Sequence, residues 1–411
     1  MERPRGPEDK PNAPDDHPGT AGEVFGAFLK LGLTSFGGPI AHLGYFRQEL
    51  VVRRRWIEEA AYADLVALCQ FLPGPASSQV GFALGLRRAG VWGGLAAWSA
   101  FTLPSALLLL AFAYGAPFLG GPTGESILRG LKLVAVAIVA HAVWGMARTL
   151  TPDLARIAIA LAAAALVLAM GGALAQIGAI VVGGGLGLLV SRRGPALSPP
   201  TGTRPLLRRY GWICLGAFLG LLLFLPMLAR LTDWQALKLF DAFYRSGALV
   251  FGGGHVVLPL LQAEVVQPGW TTDDVFLAGY GAAQAVPGPL FTFSSYLGAV
   301  VGPQPNGVAG AAIALVAIFL PGVLILCAAL PFWDQLRARP GTQAALRGAN
   351  ASVVGILAAA LYDPVWTSAV MRPSHAVIAV TGFLVLTFWR VPAWTVVIGV
   401  VGLTALFASV T

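Results

Sequence analysis

Charged residues are scarce in this sequence. Asp, Glu, Lys and Arg account for 11% of its 411 residues, whereas a soluble domain carries about 25%. Hydrophobic residues account for 56%, and the mean hydropathy is +0.74. So little charge excludes a large soluble domain and predicts a protein that crosses a membrane many times. The formal net charge of +8 does not indicate nucleic-acid binding, because Lys and Arg in membrane proteins mark the cytoplasmic loops.

Cysteines and clustered acids are scarce as well. Cys69, Cys214 and Cys327 lie in apolar segments, at spacings that form neither a disulfide framework nor a metal site. The sequence shows no HExxH metal motif, no nucleophile with its base and no GxxxxGK[ST] nucleotide loop. We therefore predict no catalytic residue, no metal and no cofactor. A membrane-embedded enzyme acting on a lipid-linked substrate is the alternative from another functional class.

Two stretches about 215 positions apart are nearly the same, which indicates an internal duplication. Residues 25–79 contain FLKLGLTSFGGPIAHLG and LCQFLPGPASSQ. Residues 240–293 contain FYRSGALVFGGGHVVLP and YGAAQAVPGPLFTF. The matching positions are Lys30 and Arg245, Gly32 and Gly247, Phe36–Gly38 and Phe251–Gly253, Gln70 and Gln284, and Pro73–Pro75 and Pro287–Pro289.

Apolar segments follow the same division of the chain. Six fall in the first repeat, residues 24–191, and several are near the ~17–25 residues that a spanning helix needs. Residues 192–239 hold a basic linker and one extra helix, and six more segments fall in the second repeat, residues 240–411. Residues 1–23 are polar and Pro-rich, which predicts disorder. The predicted fold is an all-α polytopic membrane protein with two homologous repeats and about 13 hydrophobic segments. The segments with the FGG and PGP motifs either span the membrane or are re-entrant.

The single segment between the repeats sets their relative orientation. Six crossings return the chain to its starting side and a seventh crosses again, so the second repeat is predicted to be inverted. Most basic clusters then lie on one face, which we predict to be cytoplasmic together with the N-terminus. Arg53–Arg55 is the exception. If the first two segments dip in and return, that run also lies inside.

Each repeated motif interrupts an apolar segment with Gly and Pro. Proline removes a backbone N–H, and glycine permits backbone shapes that other residues avoid. In hydrocarbon the freed backbone groups must find partners or line a watery cavity. Helix breaks at matching positions in two halves point to a transport site, and the N-termini of half-helices attract anions. The sequence therefore predicts an anion site built by both halves.

Side chains near the breaks offer hydrogen-bond donors and one cation in each half. The alternative interpretation is that the small residues only allow close helix packing, while both cations extend to the membrane surface. His255 is a candidate donor or proton carrier, with a structural role as the alternative. The predicted substrate-binding residues are Lys30, Ser35, Gly37, Gly38, Gln70, Pro73, Gly74, Pro75, Ser77, Ser78, Arg245, Gly252, Gly253, Gly254, His255, Gln284, Pro287, Gly288, Pro289 and Thr292.

The FGGP of Phe36–Pro39 and the PGP of Pro73–Pro75, with their second copies at Phe251–Gly254 and Pro287–Pro289, resemble the long, two-domain form of the chromate transporter family. The likeness covers nearly all of the chain after residue 20. It implies a multi-pass protein of the inner (plasma) membrane that exports chromate from the cytoplasm, or a sulfate permease of the same fold. Coupling to protons and a homodimer are left open.

The crossing parity predicts that the two termini lie on opposite faces of the membrane. Reporter fusions after residue 1 and residue 411 are expected to report a cytoplasmic N-terminus and an external C-terminus. Two termini on the same side would contradict both the odd crossing count and the inverted repeat.

Overall fold

The computed structural model describes residues 19–118, 121–190, 205–333, 339–389 and 391–410. Every regular element in these ranges is helical, which confirms the all-α class. The predicted disordered tail lies outside the described residues as far as residue 18, and so does the basic linker from residue 191 to residue 204. The first helix begins at Ala21, slightly before the predicted start of the first repeat at residue 24.

Seven helices form the first half of the structure, residues 21–190. Two of them are irregular, because a π-helix, Arg47–Arg53, continues α2 and non-helical backbone at Ala89 and Gly90 divides α4. The helices of this half are α1 (Ala21–Thr34), α2 (Gly38–Phe46), α3 (Glu59–Phe71), α4 (Ala76–Gly115), α5 (Gly121–Leu150), α6 (Leu154–Met170) and α7 (Gly172–Val190).

Helix α8 (Pro205–Leu231) lies between this half and the second half, residues 235–410. Short 3-10 turns precede the second and fourth helices of that half, and a π-helix, Leu361–Trp366, follows the sixth. The helices of this half are α9 (Gln235–Ala248), α10 (Val257–Val265), α11 (Asp273–Ala283), α12 (Phe293–Val300), α13 (Gly307–Ala329), α14 (Pro340–Ala360), α15 (Pro373–Phe388) and α16 (Ala393–Val410).

The repeated glycines break the helices where the sequence predicted breaks. The first apolar segment of each half becomes two helices, α1 and α2 or α9 and α10, and the PGP turns separate α3 from α4 and α11 from α12. The glycines at these breaks adopt positive φ angles, a region that residues with a side chain avoid. They are Gly37 (98°), Gly38 (80°), Gly74 (115°), Gly252 (74°), Gly253 (151°) and Gly288 (103°).

Six helices among the described residues are long and apolar enough to cross a membrane, which makes this a multi-pass membrane protein. The predicted total of about 13 segments also counted the broken ones, and it stays a prediction. The six candidate spans are Ala76–Phe118, Gly124–Leu150, Gly172–Val190, Arg208–Leu231, Gly307–Phe332 and Pro340–Ala369. Shorter apolar helices are Leu154–Met170, Leu290–Val300, Pro373–Phe388 and Ala393–Ala405.

The two halves exchange a long helix. Helix α5 of the first half packs against α15 and α16 of the second, and α14 of the second half packs against α6 and α7 of the first. These contacts bury apolar side chains of α5 such as Val134, Val136 and Val139. Because α5 and α14 each pack into the opposite half, residues of both halves share a buried apolar cluster.

Glycine allows the first helix of each half to approach a later helix closely. A Cβ added at Gly32 on α1 would lie 2.8 Å from the Ala100 carbonyl oxygen of α4. At the matching position on α9, a Cβ added at Gly247 would overlap the Ile318 carbonyl oxygen of α13. Backbone atoms cannot move aside as a side chain can, so both contacts require glycine.

We expect Gly32→Val and Gly247→Val to lower the melting temperature of the purified protein, because overpacking typically costs about 1–3 kcal/mol. Gly26→Val on α1 is the matched control, since a Cβ there meets nothing within 4 Å. Differential scanning fluorimetry in detergent makes the comparison. If Gly26→Val is as harmful as the other two, helix propensity rather than close packing explains the glycines.

Candidate functional site

The broken segments of the two halves are joined by a reciprocal pair of backbone hydrogen bonds. The Gly74 N–H of the first PGP turn donates to the Val250 carbonyl oxygen at 2.8 Å. The Gly288 N–H of the second PGP turn donates to the Ser35 carbonyl oxygen at 2.9 Å. Val250 and Ser35 each directly precede an FGG motif. Each PGP turn is therefore bound to the FGG break of the other half.

Close contacts between the halves accompany these bonds. A Cβ added at Gly254 would lie 3.4 Å from Pro39 Cγ, and these two residues occupy matching positions in the two halves. A Cβ at Gly288 would lie 2.8 Å from Ser105 Oγ on α4, and one at Gly74 would lie 3.1 Å from Gly322 Cα on α13. The two FGG breaks and the two PGP turns thus lie together, where matching positions of the two halves come into contact.

Some polar side chains complete the turns instead of pointing to a ligand. Gln79 Nε2 donates to the Pro73 and Gly322 carbonyl oxygens, both at 2.9 Å, and so links the first PGP turn to α13. Thr292 Oγ1 donates to the Pro289 carbonyl oxygen at 2.7 Å. The predicted Thr292 therefore stabilises its own turn.

Other side chains around the turns keep a polar atom buried without a hydrogen-bond partner. Native proteins satisfy most such atoms, so a group of them in one region indicates a place for water or a ligand. Hydroxyl and amide donors also suit an anion with several oxygen atoms. The atoms concerned within the described chain are Ser35 Oγ, His42 Nε2, Ser78 Oγ, Gln79 Oε1, Thr102 Oγ1, Gln284 Nε2 and Ser294 Oγ.

The glycines of the PGP turns and those of the FGG breaks differ in their surroundings. The amides of Gly74 and Gly288 are occupied by carbonyl oxygens and are not open donors in this conformation. Gly37 and Gly253, in the FGG breaks, are exposed, and a Cβ added at Gly38 would meet nothing within 4 Å. Open space therefore lies beside the FGG breaks rather than inside the PGP turns.

The predicted cations, Lys30 and Arg245, are held by carboxylates at matching positions. Lys30 Nζ lies 2.9 Å from Glu49 Oε2, and its side chain is 51% exposed. Arg245 makes a bidentate pair with Glu264, with both N–O distances at 2.8 Å, and also contacts Asp241. Neither cation is directed to the PGP turns by these contacts.

The two glutamates differ in their surroundings. Arg53 and Arg54 join Lys30 around Glu49. Burial opposes ionisation of Glu49, but hydrogen bonds from these three cations prevail and lower its pKa to about 2. Burial raises the pKa of Glu264, because Arg245 alone opposes it and is shared with Asp241. The second half therefore holds one buried and one partly buried acid on one guanidinium.

The remaining predicted polar residues have other surroundings. Gln70 lies in the last turn of α3 with an exposed side chain. His255 Nδ1 lies 2.7 Å from the Tyr280 hydroxyl, and Ser77 Oγ lies 3.4 Å from His42 Nδ1. No three His, Cys, Asp or Glu side chains are grouped to hold a metal ion in the part of the chain that the structure describes.

Sequence reasoning missed Glu49 and Glu264, the structural role of Gln79, which it took as a donor to the anion, and the importance of His42. The two glutamates carried a detectable signal, because they are separated by the same offset as Lys30 and Arg245. Gln79 and His42 have no such counterpart, since Phe293 and Val257 stand near the corresponding positions. Only the folded arrangement shows what these two side chains contact.

Comparison with known proteins gives a consistent result. A family described as Chromate transporter matches residues 22–188 and 237–406. A chromate transport protein of Pseudomonas aeruginosa is 30% identical over 388 residues, 90% of this chain and 87% of that protein. A chromate transport protein of Cupriavidus metallidurans is 28% identical over 387 residues, 92% and 91% of the two chains. An uncharacterized transporter of Methanocaldococcus jannaschii is 28% identical over 340 residues, 82% of each chain. No solved structure matches the chain.

The ion pairs predict unequal effects of removing the two cations. Arg245→Gln removes the guanidinium that pairs with Asp241 and Glu264 and leaves Asp241 with the more distant charge of Arg230. We therefore expect a lower melting temperature and less protein in the membrane; breaking a buried pair costs about 3–5 kcal/mol. The double variant Arg245→Gln/Glu264→Gln is expected to recover much of this loss.

Lys30→Gln is the matched control, because Glu49 keeps Arg53 and Arg54 and the melting temperature should hardly change. Equal destabilisation by Lys30→Gln and Arg245→Gln would contradict this account. Transport by the double variant then separates stability from transport: a stable protein without transport assigns a role in transport to the Arg245–Glu264 pair.

Proposed function

The chain belongs to the chromate transporter family, and on that premise we propose that it is a secondary transporter that carries chromate out of the cytoplasm. The family match extends over both halves and confirms the resemblance read from the FGG and PGP motifs. Membership makes this a transport protein and not an enzyme, so the alternative of a membrane-embedded enzyme is set aside.

Two kinds of support favour chromate as the anion. The relatives from Pseudomonas aeruginosa and Cupriavidus metallidurans are both chromate transport proteins, and the chain aligns with about nine-tenths of each. The site offers uncharged donors, which suit a tetrahedral oxyanion. Sulfate has the same shape and charge as chromate, so a sulfate permease remains the second candidate.

The reciprocal bonds between the PGP turns and the FGG breaks carry the proposal. Removing a dianion from water is very costly unless fixed donors replace its hydration. The crossed bonds of Gly74 and Gly288 bring segments of both halves together, and buried donors without partners, including Ser35 and Gln284, surround that junction. We place the anion there, beside the exposed FGG glycines.

The same reciprocity supports an inverted duplication, with repeats at residues 24–191 and 240–411. Contacts in which position A meets B of the other half, and B meets A, are those of a two-fold axis. Helix α8 is an apolar candidate span between the halves, and one extra crossing would place that axis in the membrane plane. We place the protein in the inner membrane with a cytoplasmic N-terminus.

The membrane potential supplies the driving force for export. An inside-negative potential favours anion exit by about 2.3 kcal/mol per charge per 100 mV. A dianion at ~100 mV gains about 4.6 kcal/mol, which is about three powers of ten in concentration. Export therefore requires no ATP, and proton antiport would add to this gradient.

Everted membrane vesicles test both the direction and the site. Energised vesicles with the protein are expected to accumulate labelled chromate, and Gln284→Glu is expected to reduce uptake about tenfold or more. The substitution keeps the size of the side chain but places a negative charge beside a dianion, in a medium less polar than water. Excess unlabelled sulfate shows whether both oxyanions use the site.

Gln235→Glu is the matched control, because Gln235 Nε2 is also buried without a partner but lies in the first turn of α9. Its uptake should equal that of the parent when membrane abundance is matched. No accumulation above vesicles without the protein, or accumulation only in right-side-out vesicles, would overturn the export proposal.

A further inference from the structure

The imidazole of His42 on α2 is fully buried. The ring stands edge-on to Phe101, with 5.4 Å between centroids, and Nδ1 lies 3.4 Å from Ser77 Oγ. Nε2 has no hydrogen-bond partner among the described residues. Burying a ring nitrogen without a hydrogen-bond partner costs free energy unless a water or a ligand satisfies it.

Two hydroxyl groups on segments that contact this ring are also buried without a hydrogen-bond partner. Ser35 lies in the break before α2, and Thr102 follows Phe101 on α4. Both residues are 0% exposed, and neither hydroxyl oxygen has a hydrogen-bond partner within the described chain. Three packed elements of the first half thus each contribute a buried polar atom that the protein does not satisfy.

Ser35 connects the ring to the junction of the halves. Its carbonyl oxygen faces the His42 ring and also accepts the hydrogen bond from the Gly288 N–H. Gly288 in turn lies against Ser105 and the Phe101 carbonyl oxygen. His42 therefore stands where the PGP turn of the second half enters the first.

We propose that His42 is a substrate-contacting residue whose Nε2 donates a hydrogen bond to an oxygen of the bound tetrahedral oxyanion. In this assignment the Ser77 hydroxyl, 3.4 Å away, donates to Nδ1 and the proton of the neutral ring lies on Nε2. An uncharged ring binds the anion without a strong ion pair, so that the anion is also released. This inference rests on the proposed function and assigns one further residue to the same site.

Two amide substitutions separate this role from packing. The amide of Gln reaches the place of Nε2, whereas the amide of Asn reaches only that of Nδ1. His42→Gln is expected to keep the chromate Kd within about threefold of the parent. His42→Asn and His42→Leu are expected to raise it about tenfold or more, the loss of one hydrogen bond to a charged group. Isothermal titration of the purified protein with chromate measures the Kd, and scanning fluorimetry measures the melting temperature.

A purely structural histidine gives the opposite order. His42→Asn would then keep the contact with Ser77, bind chromate like the parent and keep its melting temperature, while His42→Gln would not. That order overturns the proposal, and so does parental binding by all three variants. The comparison of Gln with Asn still decides if His42→Leu fails to fold.

His375 provides the control, because it is buried at the start of α15, where its Nδ1 accepts from the Met371 N–H at 3.3 Å. His375→Gln and His375→Asn should leave the chromate Kd unchanged. If the parent does not bind chromate, the proposed function fails. If the parent binds, Gln284→Glu loses binding and every His42 variant binds normally, this inference fails alone.

Discussion

Unpaired backbone groups in a membrane interior impose the constraint on which this structure depends. The FGG and PGP segments interrupt helices, and no water in hydrocarbon satisfies the freed amides and carbonyls. Here the Gly74 and Gly288 amides satisfy the carbonyls of Val250 and Ser35 in the opposite half. Separating the halves would expose four backbone groups at once. The breaks that weaken each half alone therefore help to join the two.

The two halves share positions but not electrostatics. Glu49 is surrounded by three cations, whereas Glu264 shares Arg245 with Asp241. Pro39 faces Gly254 where the halves meet, so one half offers a rigid ring and the other an open backbone. Two halves with matching positions but different side chains are suited to alternating access, because conformations open to opposite sides of the membrane need not have equal energy.

The sequence was sufficient to predict the helical class, the chain breaks and the residues at them, because Gly and Pro act locally on the backbone. It was not sufficient to predict that the PGP turn of each half bonds to the FGG break of the other half. The bond from Gly288 to Ser35 joins residues far apart in the chain, and no local pattern encodes such a partner. The carboxylate partners of Lys30 and Arg245 were readable from the common offset, whereas His42 became visible only when Nε2 proved to be buried without a partner.

The occupied and the open donors bear on how the proposed anion site would work. The sequence predicted that the PGP amides bind the anion, but in this conformation the Gly74 and Gly288 amides already donate to carbonyl oxygens. In the proposed site, an anion beside the FGG breaks would therefore meet side-chain donors first. If the halves move apart during transport, these two amides lose their carbonyl partners and become donors beside the anion. The anion would then replace the bonds that the movement breaks, and this exchange would lower the cost of separating the halves while substrate is bound.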